Sequence, residues 1–200
     1  GMALSRPVPA RGQIQLVPPD PERFESWADC LLEFASGPID GSGFQTGRVP
    51  APSRNTFAEY LSDRLKAGDA RTLLPEGRVH CTFLWIVDST WPQGGPLLGF
   101  FAIRHALTQF LFDQAGHIGY SVRPTARRQG IASEALMAGL PIAQRLGAHP
   151  TLVCCLEENE ASMRTILHAG GQYAGSCNGF RRYWIGPEPW PSGPTAKLPG

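Results

Sequence analysis

One stretch of this sequence, residues 117–132, constrains the fold more than any other. It has the sequence HIGYSVRPTARRQGIA. Residues 117–122 carry the β-branched and aromatic side chains that are typical of a strand. After a loop at 123–129, a helical stretch begins at Gly130 and ends at Gly147, a glycine of the kind that often closes helices. The sequence therefore predicts a strand, an arginine-rich loop and a helix in direct succession.

The start of this predicted helix is suited to binding an anion. The first N–H groups of a helix have no partner within the helix, and the helix dipole adds positive potential there. Gly130 leaves these amides accessible because it has no side chain. Arg127 and Arg128 add positive charge beside them, and Ser133 adds a hydroxyl. The loop is therefore predicted to hold a phosphate or diphosphate group.

The rest of the chain predicts a single mixed α/β domain over residues 13–185. Antiparallel strands fill the first half and strands alternate with helices in the second. Further strands are predicted at residues 13–17, 79–88, 97–106, 151–156, 173–176 and 180–185, and further helices at 56–66, at 159–169 and from Pro21 onwards, behind Asp20 as the cap. Residues 108–114 fit either a strand or a short helical turn.

Other segments lack a regular pattern. Residues 2–12 are expected to be loose, and residues 37–55 to form a long loop of the kind that is often functional. The tail at 186–200 is rich in proline and is expected to be extended or disordered. Pro141 predicts a kink or a lost backbone hydrogen bond within the helix that follows Gly130.

Composition argues against several classes of protein. The net charge of only +1 gives no general attraction to nucleic acid or to a membrane surface. The longest apolar runs, such as residues 83–87 and 97–103, are too short to cross a bilayer. The five cysteines have no metal-type spacing, so no metal site is expected and reduced thiols are the simplest interpretation. These features favour a cytoplasmic location.

Residues 127–132, RRQGIA, resemble the signature of the GNAT superfamily of acyl-CoA N-acyltransferases. That signature is Arg or Gln, two residues, Gly, one residue, then Gly or Ala, and this segment matches it in full. A hexapeptide alone would be weak support because short glycine motifs occur by chance. The preceding strand and the following helix supply the required context.

The second strand–helix unit is also similar to this superfamily, in its ribosomal-protein-acetyltransferase-like branch. Asn159 and Ser162 stand where Asn-x-x-Ser opens the last helix of that branch. Gly170 stands where a glycine closes it, whereas Gly171 replaces the usual aromatic residue. The chain also resembles a group of predicted acetyltransferases that share the GHIGYSVRP of residues 116–124. The resemblance is good over residues 97–185 and poor before residue 55.

The resemblance implies a GNAT-like central sheet, mixed and mostly antiparallel, with two parallel strands that splay apart and helices on its flanks. It implies acetyl-CoA as cosubstrate, with the pantetheine arm added to the edge of strand 117–122. The diphosphate would rest on the amides of 128–132, and an N–H near Tyr120 would stabilise the oxyanion. The implied cofactor-binding residues are Tyr120, Ser121, Val122, Arg127, Arg128, Gln129, Gly130, Ile131, Ala132, Ser133, Asn159 and Ser162. Asn159 is equally explained as a helix cap.

The resemblance also suggests catalytic residues. His117 occupies the position of a Glu that serves as general base in many relatives, and a histidine could take that role. A structural histidine at the start of a strand is the alternative. Ile166 stands where many relatives carry a Tyr that protonates the leaving thiolate. Tyr173 or Tyr183 could replace that acid, although tyrosines on late strands are more often core residues and the thiolate could leave without an acid.

The resemblance implies that the acceptor is an amine, either on a small molecule or on a protein. Arg104 and His105 lie at the end of a strand that leads toward the gap between the two splayed strands. They are candidates for binding the acceptor, with a plain surface role as the alternative. Residues 37–55 would help to shape the acceptor site. A homodimer is kept as one option for the assembly.

Two other functions compete with acetyl transfer. A CoA-binding regulatory module fits the absence of the usual Glu and Tyr. A nucleic-acid-binding protein would use an arginine cluster, although the near-neutral charge and the lack of a recognition motif argue against nucleic acid as a partner. The arginines of that cluster are Arg123, Arg127, Arg128, Arg181 and Arg182.

Overall fold

A computed structural model describes residues 13–35, 37–91 and 95–196, so the loose segment predicted at 2–12 lies outside the described residues. The helices and strands follow in this order: β1 (Ile14–Val17), α1 (Phe24–Glu33), α2 (Arg54–Gly68), β2 (Cys81–Asp88), β3 (Gly99–Arg104), β4 (Ile118–Val122), α3 (Ile131–Arg145), β5 (Thr151–Leu156), α4 (Glu160–His168), β6 (Gln172–Cys177) and β7 (Phe180–Ile185). A π-helical turn at Leu111–Ala115 and a 3₁₀ turn at Pro124–Ala126 flank β4.

The strands form a single sheet in the order β1-β2-β3-β4-β5-β7-β6. All neighbouring pairs are antiparallel except β4 and β5, which run parallel. The crossover from β4 to β5 is made by α3, as parallel neighbours require. The predicted fold class, a mixed and mostly antiparallel sheet with one parallel pair and flanking helices, is therefore confirmed.

Each face of the sheet is covered by a separate pair of helices. Helices α1 and α2 bury an aromatic cluster against β2 and β3, which includes Trp27, Phe57, Trp85 and Phe100. Helices α3 and α4 cover the opposite face, where Phe101, Ile118, Leu136, Val153 and Ile166 pack together. Because side chains alternate along a strand, Ile118, Tyr120 and Val122 of β4 point to the α3 face.

The start of α1 differs from the prediction. The helix begins at Phe24 with Arg23 at its cap position, so the predicted start at Pro21 was wrong by about one helical turn. The cause is local, because the Asp20 carboxylate accepts the N–H of Glu22 at 2.9 Å and holds the chain in a turn. Helix α2, by contrast, begins behind a capping box formed by Ser53 and Thr56.

Three further segments also take definite forms. The segment 108–114 is helical rather than strand, since it leads into the π-helical turn that Gly116 closes by donating to the Leu111 carbonyl at 2.6 Å. Pro141 lies inside α3, and the helix continues past it to Arg145. The described part of the C-terminal tail packs against the sheet, where the ring of Trp190 stacks on Trp184 at 6.5 Å between centroids.

Candidate active site

The two parallel strands separate from each other and leave an open edge on β4. Their pairing is limited to Ile118 opposite Val153. On the other side of β4, the His117 carbonyl accepts the N–H of Arg104 at 2.7 Å. The N–H of Arg123 donates to the carbonyl of Leu98, the residue before β3, at 2.8 Å. Because alternate residues of a strand bond to opposite neighbours, the main-chain groups of Tyr120 point toward β5. The register of the two strands includes no residue of β4 beyond Ile118, so Tyr120 has no partner residue on β5 among the described residues.

The loop after β4, residues 123–130, ends in a row of accessible amides. Gly130 caps α3 in the left-handed conformation, with φ of 75°, and no side chain caps the helix. Arg128 also has positive φ, 65°, and alternation of this kind turns successive N–H groups toward one concave side. The hydrogen bonds described for this part of the chain include no donation by the N–H groups from Arg128 to Ser133. The loop therefore has the free amides that the predicted anion site requires, and binding of an anion there stays a prediction.

The side chains of this loop divide into exposed and buried sets. Arg128 is exposed, and Gln129 and Ser133 are partly so, which leaves them available to a ligand. Arg127 is exposed as well, but its Nε donates to the Val122 carbonyl at 2.9 Å. Ile131 is buried in the core, so only its main chain can face a ligand.

Arg123 fixes the loop to α1. Its Nε donates to Glu33 and its Nη2 to Asp29, both at 2.7 Å, and its Nη1 donates to the Leu97 carbonyl at 3.0 Å. The hydroxyl of Thr125 reaches the second oxygen of Glu33 at 2.6 Å. This buried ion-pair network was not predicted, and it couples the position of the anion site to the first helix of the fold.

The arginines needed for nucleic-acid binding are largely engaged within the protein. Arg123 is held by its ion pairs. The guanidinium of Arg181 lies over the ring of Tyr173 at 4.2 Å, and that of Arg182 lies over Phe112 at 4.5 Å. These side chains do not form a free basic surface, which argues against the nucleic-acid hypothesis.

A polar cluster lies on the α4 side of the cleft that opens where β4 and β5 separate. The hydroxyl groups of Tyr120 and Ser162 are 3.1 Å apart. Asn159 caps α4 by accepting the N–H of Ser162 at 3.1 Å, as its capping role predicts. Burial raises the pKa of the Tyr120 phenol to about 12, although its bond to Ser162 works against this. Tyr120 and Ser162, both predicted to bind the cofactor, are therefore in direct contact, and Tyr120 stays protonated at neutral pH.

His117 is buried in a setting that favours a structural role. Its Nδ1 accepts the N–H of Leu152 at 2.9 Å, so the neutral ring carries its proton on Nε2. Trp184 packs edge-on to the ring, with 6.5 Å between centroids. Burial, together with the positive charge of Arg104, lowers the pKa of His117 to about 4. The basic nitrogen is thus occupied, and a role for His117 as general base stays a prediction.

The lowered pKa of His117 predicts a pH-dependent stability. The unfolded chain binds this proton near pH 6.5 and the folded protein only near pH 4, so the free energy of unfolding falls as pH drops through that window. The loss is on the order of 3 kcal/mol between pH 7 and pH 4. His117→Gln should flatten this part of the curve in urea unfolding measured across pH. The exposed His168→Gln is the control, and an equal slope in wild type and His117→Gln would contradict the pKa shift.

The two candidate acids contact each other and make no hydrogen bond to Tyr120 or Ser162 within the described residues. Tyr183 is buried on β7, where its hydroxyl accepts from Arg181 at 2.7 Å. Tyr173 is half exposed on β6, and its ring is 5.7 Å from that of Tyr183. No hydrogen bond or ring contact of the described residues joins either tyrosine to Tyr120. Their role as acids stays a prediction.

The predicted acceptor residues fall in different places. Arg104 reaches across the face of β4, where its Nη1 donates to the Gly116 carbonyl at 3.1 Å. His105 instead bonds to Thr82 at 2.7 Å and stacks on His80, so it faces β2 at the same end of β3. The structure thus brings Arg104, but not His105, to the cleft. Neither assignment is tested by this placement alone.

An open parallel strand pair beside an uncapped helix N-terminus is the architecture of an acetyltransferase. Residues 44–172 match the family described as the acetyltransferase (GNAT) domain. The chain belongs to this family. The match begins within the predicted loop 37–55 and ends at the first residue of β6, so it reaches further toward the N-terminus than the signature motifs did.

Solved acetyltransferase structures share this fold at low sequence identity. RimJ of Mycobacterium smegmatis in complex with CoA-disulfide has a TM-score of 0.61 at 18% identity, covering 86% of this chain and 81% of its own. An acetyltransferase from Salmonella typhimurium that modifies the N-terminal serine of ribosomal protein L7/L12 scores 0.58 at 15% identity, with 90% and 99% covered. A spermidine N-acetyltransferase chimera of Vibrio cholerae SpeG and hSSAT scores 0.55 at 14% identity, with 87% and 95% covered.

No curated protein matches the sequence significantly. Within the described residues, every helix is too short or too polar to cross a lipid bilayer. The same residues contain no grouping of His, Cys, Asp and Glu side chains that could hold a metal ion.

Proposed function

We propose that this protein transfers an acetyl group from acetyl-CoA to a primary amine within a ternary complex. The edge of β4 beyond Ile118, where the pairing with β5 ends, and the free amides from Arg128 to Ser133 are together the observation that carries this proposal. An extended pantetheine arm pairs with such a strand edge, and a diphosphate binds at such a helix terminus. The distance between the two features is spanned by one short loop. Membership of the GNAT family supports the same cosubstrate.

The residues of the cleft suit the chemistry of acyl transfer. The amine nitrogen attacks the thioester carbonyl carbon, a new C–N bond forms, and the C–S bond breaks to release the CoA thiolate. The N–H of Tyr120 points into the cleft, where it can stabilise the oxyanion of the tetrahedral intermediate. The amine must lose its proton before it attacks. His117 as base and Tyr173 or Tyr183 as acid complete the proposed set.

A catalytically weak CoA-binding module is the second candidate function. It is favoured by the occupied Nδ1 of His117 and by Ile166, which is fully buried where relatives place a tyrosine. Under this alternative, the protein binds acetyl-CoA through the same loop and edge but turns it over slowly.

Calorimetry with CoA and thiol release from acetyl-CoA distinguish these functions. The panel of acceptors should span polyamines, alkylamines and peptides with a free N-terminal serine. Enzymes of similar structure include a spermidine N-acetyltransferase chimera and an enzyme that modifies the N-terminal serine of a ribosomal protein. Amine-dependent thiol release with an acetylated product in mass spectrometry supports the enzyme. Binding of CoA without turnover of any amine supports the module, and absence of CoA binding contradicts both.

A further inference from the structure

A segment of the α1–α2 connection is pressed against the outer face of β4, beside the open edge. The Ser121 hydroxyl donates to the Asp40 carbonyl at 2.7 Å. Gly41 lies so close to β4 that a Cβ on it would be 2.5 Å from the Gly119 carbonyl oxygen. Its φ of 83° is also one that glycine adopts readily. This close approach fixes Asp40 next to the central residues of β4.

The same segment is held from its other side by α2. Ile39 is buried, and its carbonyl accepts the Ser42 hydroxyl at 2.6 Å. Arg64 of α2 donates through Nε to the Ser42 carbonyl at 2.9 Å, and its guanidinium lies 4.7 Å from the centre of the Phe44 ring. Contacts on both sides make residues 39–44, which we call the clamp segment, a defined wall of the cleft.

The Asp40 carboxylate is not used by this network. Only its main chain bonds to β4, and the described contacts include no hydrogen bond or ion pair to its side chain. The charged and titratable groups that face it are Arg104 and Tyr120, which interact with it electrostatically. Burial raises the pKa of the Asp40 carboxyl, and the positive charge of Arg104 partly offsets this. The side chain still reaches solvent.

Arg104 does not neutralise Asp40 by direct contact. Its guanidinium donates to the carbonyl groups of Ala115 and Gly116, at 3.3 and 3.1 Å, and forms no ion pair with Asp40 within the described residues. Asp40 is exposed, and a carboxylate without a direct partner is stabilised by a cationic ligand that reaches it. The bond from Ser121 to the Asp40 carbonyl and the contact of Gly41 with Gly119 place Asp40 beside the middle of β4, next to the edge where the thioester would lie.

We propose that Asp40 forms the acceptor site, and that the acceptor is an aliphatic amine bound there as its ammonium ion. The inference rests on the proposed acetyl transfer and specifies the chemistry of the acceptor. An ammonium group held by Asp40 is placed next to the edge at Tyr120, whose N–H polarises the acetyl carbonyl. The ammonium releases its proton to solvent, to which Asp40 is exposed, and the neutral nitrogen then attacks the carbonyl carbon. A carboxylate close to the amine of the acceptor is repelled by Asp40, so diamines are preferred over amino acids.

Asp40→Asn tests this site directly. With butane-1,4-diamine as acceptor and saturating acetyl-CoA, the KM for the diamine should rise at least about tenfold, as expected when a charge-assisted hydrogen bond is lost. Asp40→Glu should recover part of the loss. The affinity for CoA and the melting temperature should stay at wild-type values, because the clamp segment is held through the main chain of Asp40. Glu59→Gln, an exposed carboxylate on α2, is the matched control.

Each outcome of this experiment decides the inference. An unchanged KM in Asp40→Asn overturns it while acetyl transfer by the wild type still stands. A wild type that binds CoA but acetylates neither butane-1,4-diamine nor butylamine also overturns it, because the site then takes no aliphatic ammonium ion. A wild type that fails to bind CoA overturns the proposed function together with the inference. A raised KM with CoA affinity retained supports both.

Discussion

Gly130→Glu is expected to weaken the binding of CoA by at least about 100-fold, which corresponds to about 2.7 kcal/mol. The new carboxylate would stand at the uncapped start of α3, where the accessible amides and the helix dipole favour an anion. It would repel the diphosphate and compete with it for the same N–H groups. Calorimetric titration with CoA measures the loss, and circular dichroism checks that the fold is retained.

The opposite end of α3 offers a matched control. Gly147 also has positive φ, 88°, and an added Cβ there would meet open space. Gly147→Glu therefore imposes a similar backbone strain and the same change in net charge away from the anion site. Gly130→Ala and Gly147→Ala separate strain from charge. Equal CoA affinity in Gly130→Glu and Gly147→Glu would show that the diphosphate does not bind at the start of α3.

Local sequence patterns were sufficient for most of the fold. The strands at 151–156 and 180–185 were predicted with the bounds that β5 and β7 have. The start of α3 at Gly130 could be recognised because glycine at a loop–helix junction has a direct conformational cause. The anion site follows from these local features, since free amides at a helix start depend on a few consecutive residues.

Contacts between distant parts of the chain could not be predicted in the same way. Arg123 and Glu33 are 90 residues apart, and no spacing in the sequence marks them as partners. Asp40 lies in a segment without periodicity, so its place beside β4 emerges only from the close contact of Gly41. The role of His117 was inferred from its position in the motif. Its ring nitrogen accepts the backbone N–H of Leu152, and almost any residue at position 152 would supply such an N–H, so the sequence does not mark this contact.

These distant contacts connect α1 to both parts of the site. The chain leaves α1 and enters the clamp segment within a few residues, while the side chains of Asp29 and Glu33 hold the loop that carries the amides. The position of α1 therefore affects the acceptor wall and the anion site together. This arrangement makes the ion-pair network the point at which fold stability and CoA binding are coupled.

Arg123→Leu should reduce both the stability of the fold and its affinity for CoA. The Arg123 side chain is only 9% exposed, so its removal leaves Glu33, at 19% exposure, with a carboxylate in a poorly hydrated place. Removing one partner of a buried ion pair costs about 3–5 kcal/mol. Because Asp29 is 41% exposed, we expect a smaller loss here, about 2–3 kcal/mol. Urea unfolding measures this loss.

A coupled role for Arg123 also makes a prediction for the double variant. Arg123→Leu with Glu33→Leu should recover part of the lost stability, because no unpaired carboxylate then remains at Glu33. Its affinity for CoA should stay about tenfold below wild type, since the loop has lost its anchor to α1. Arg71→Leu, which breaks an exposed ion pair with Asp69, should change neither property. Full CoA affinity in Arg123→Leu, measured at a temperature where the variant is folded, would show that the loop holds its shape without α1.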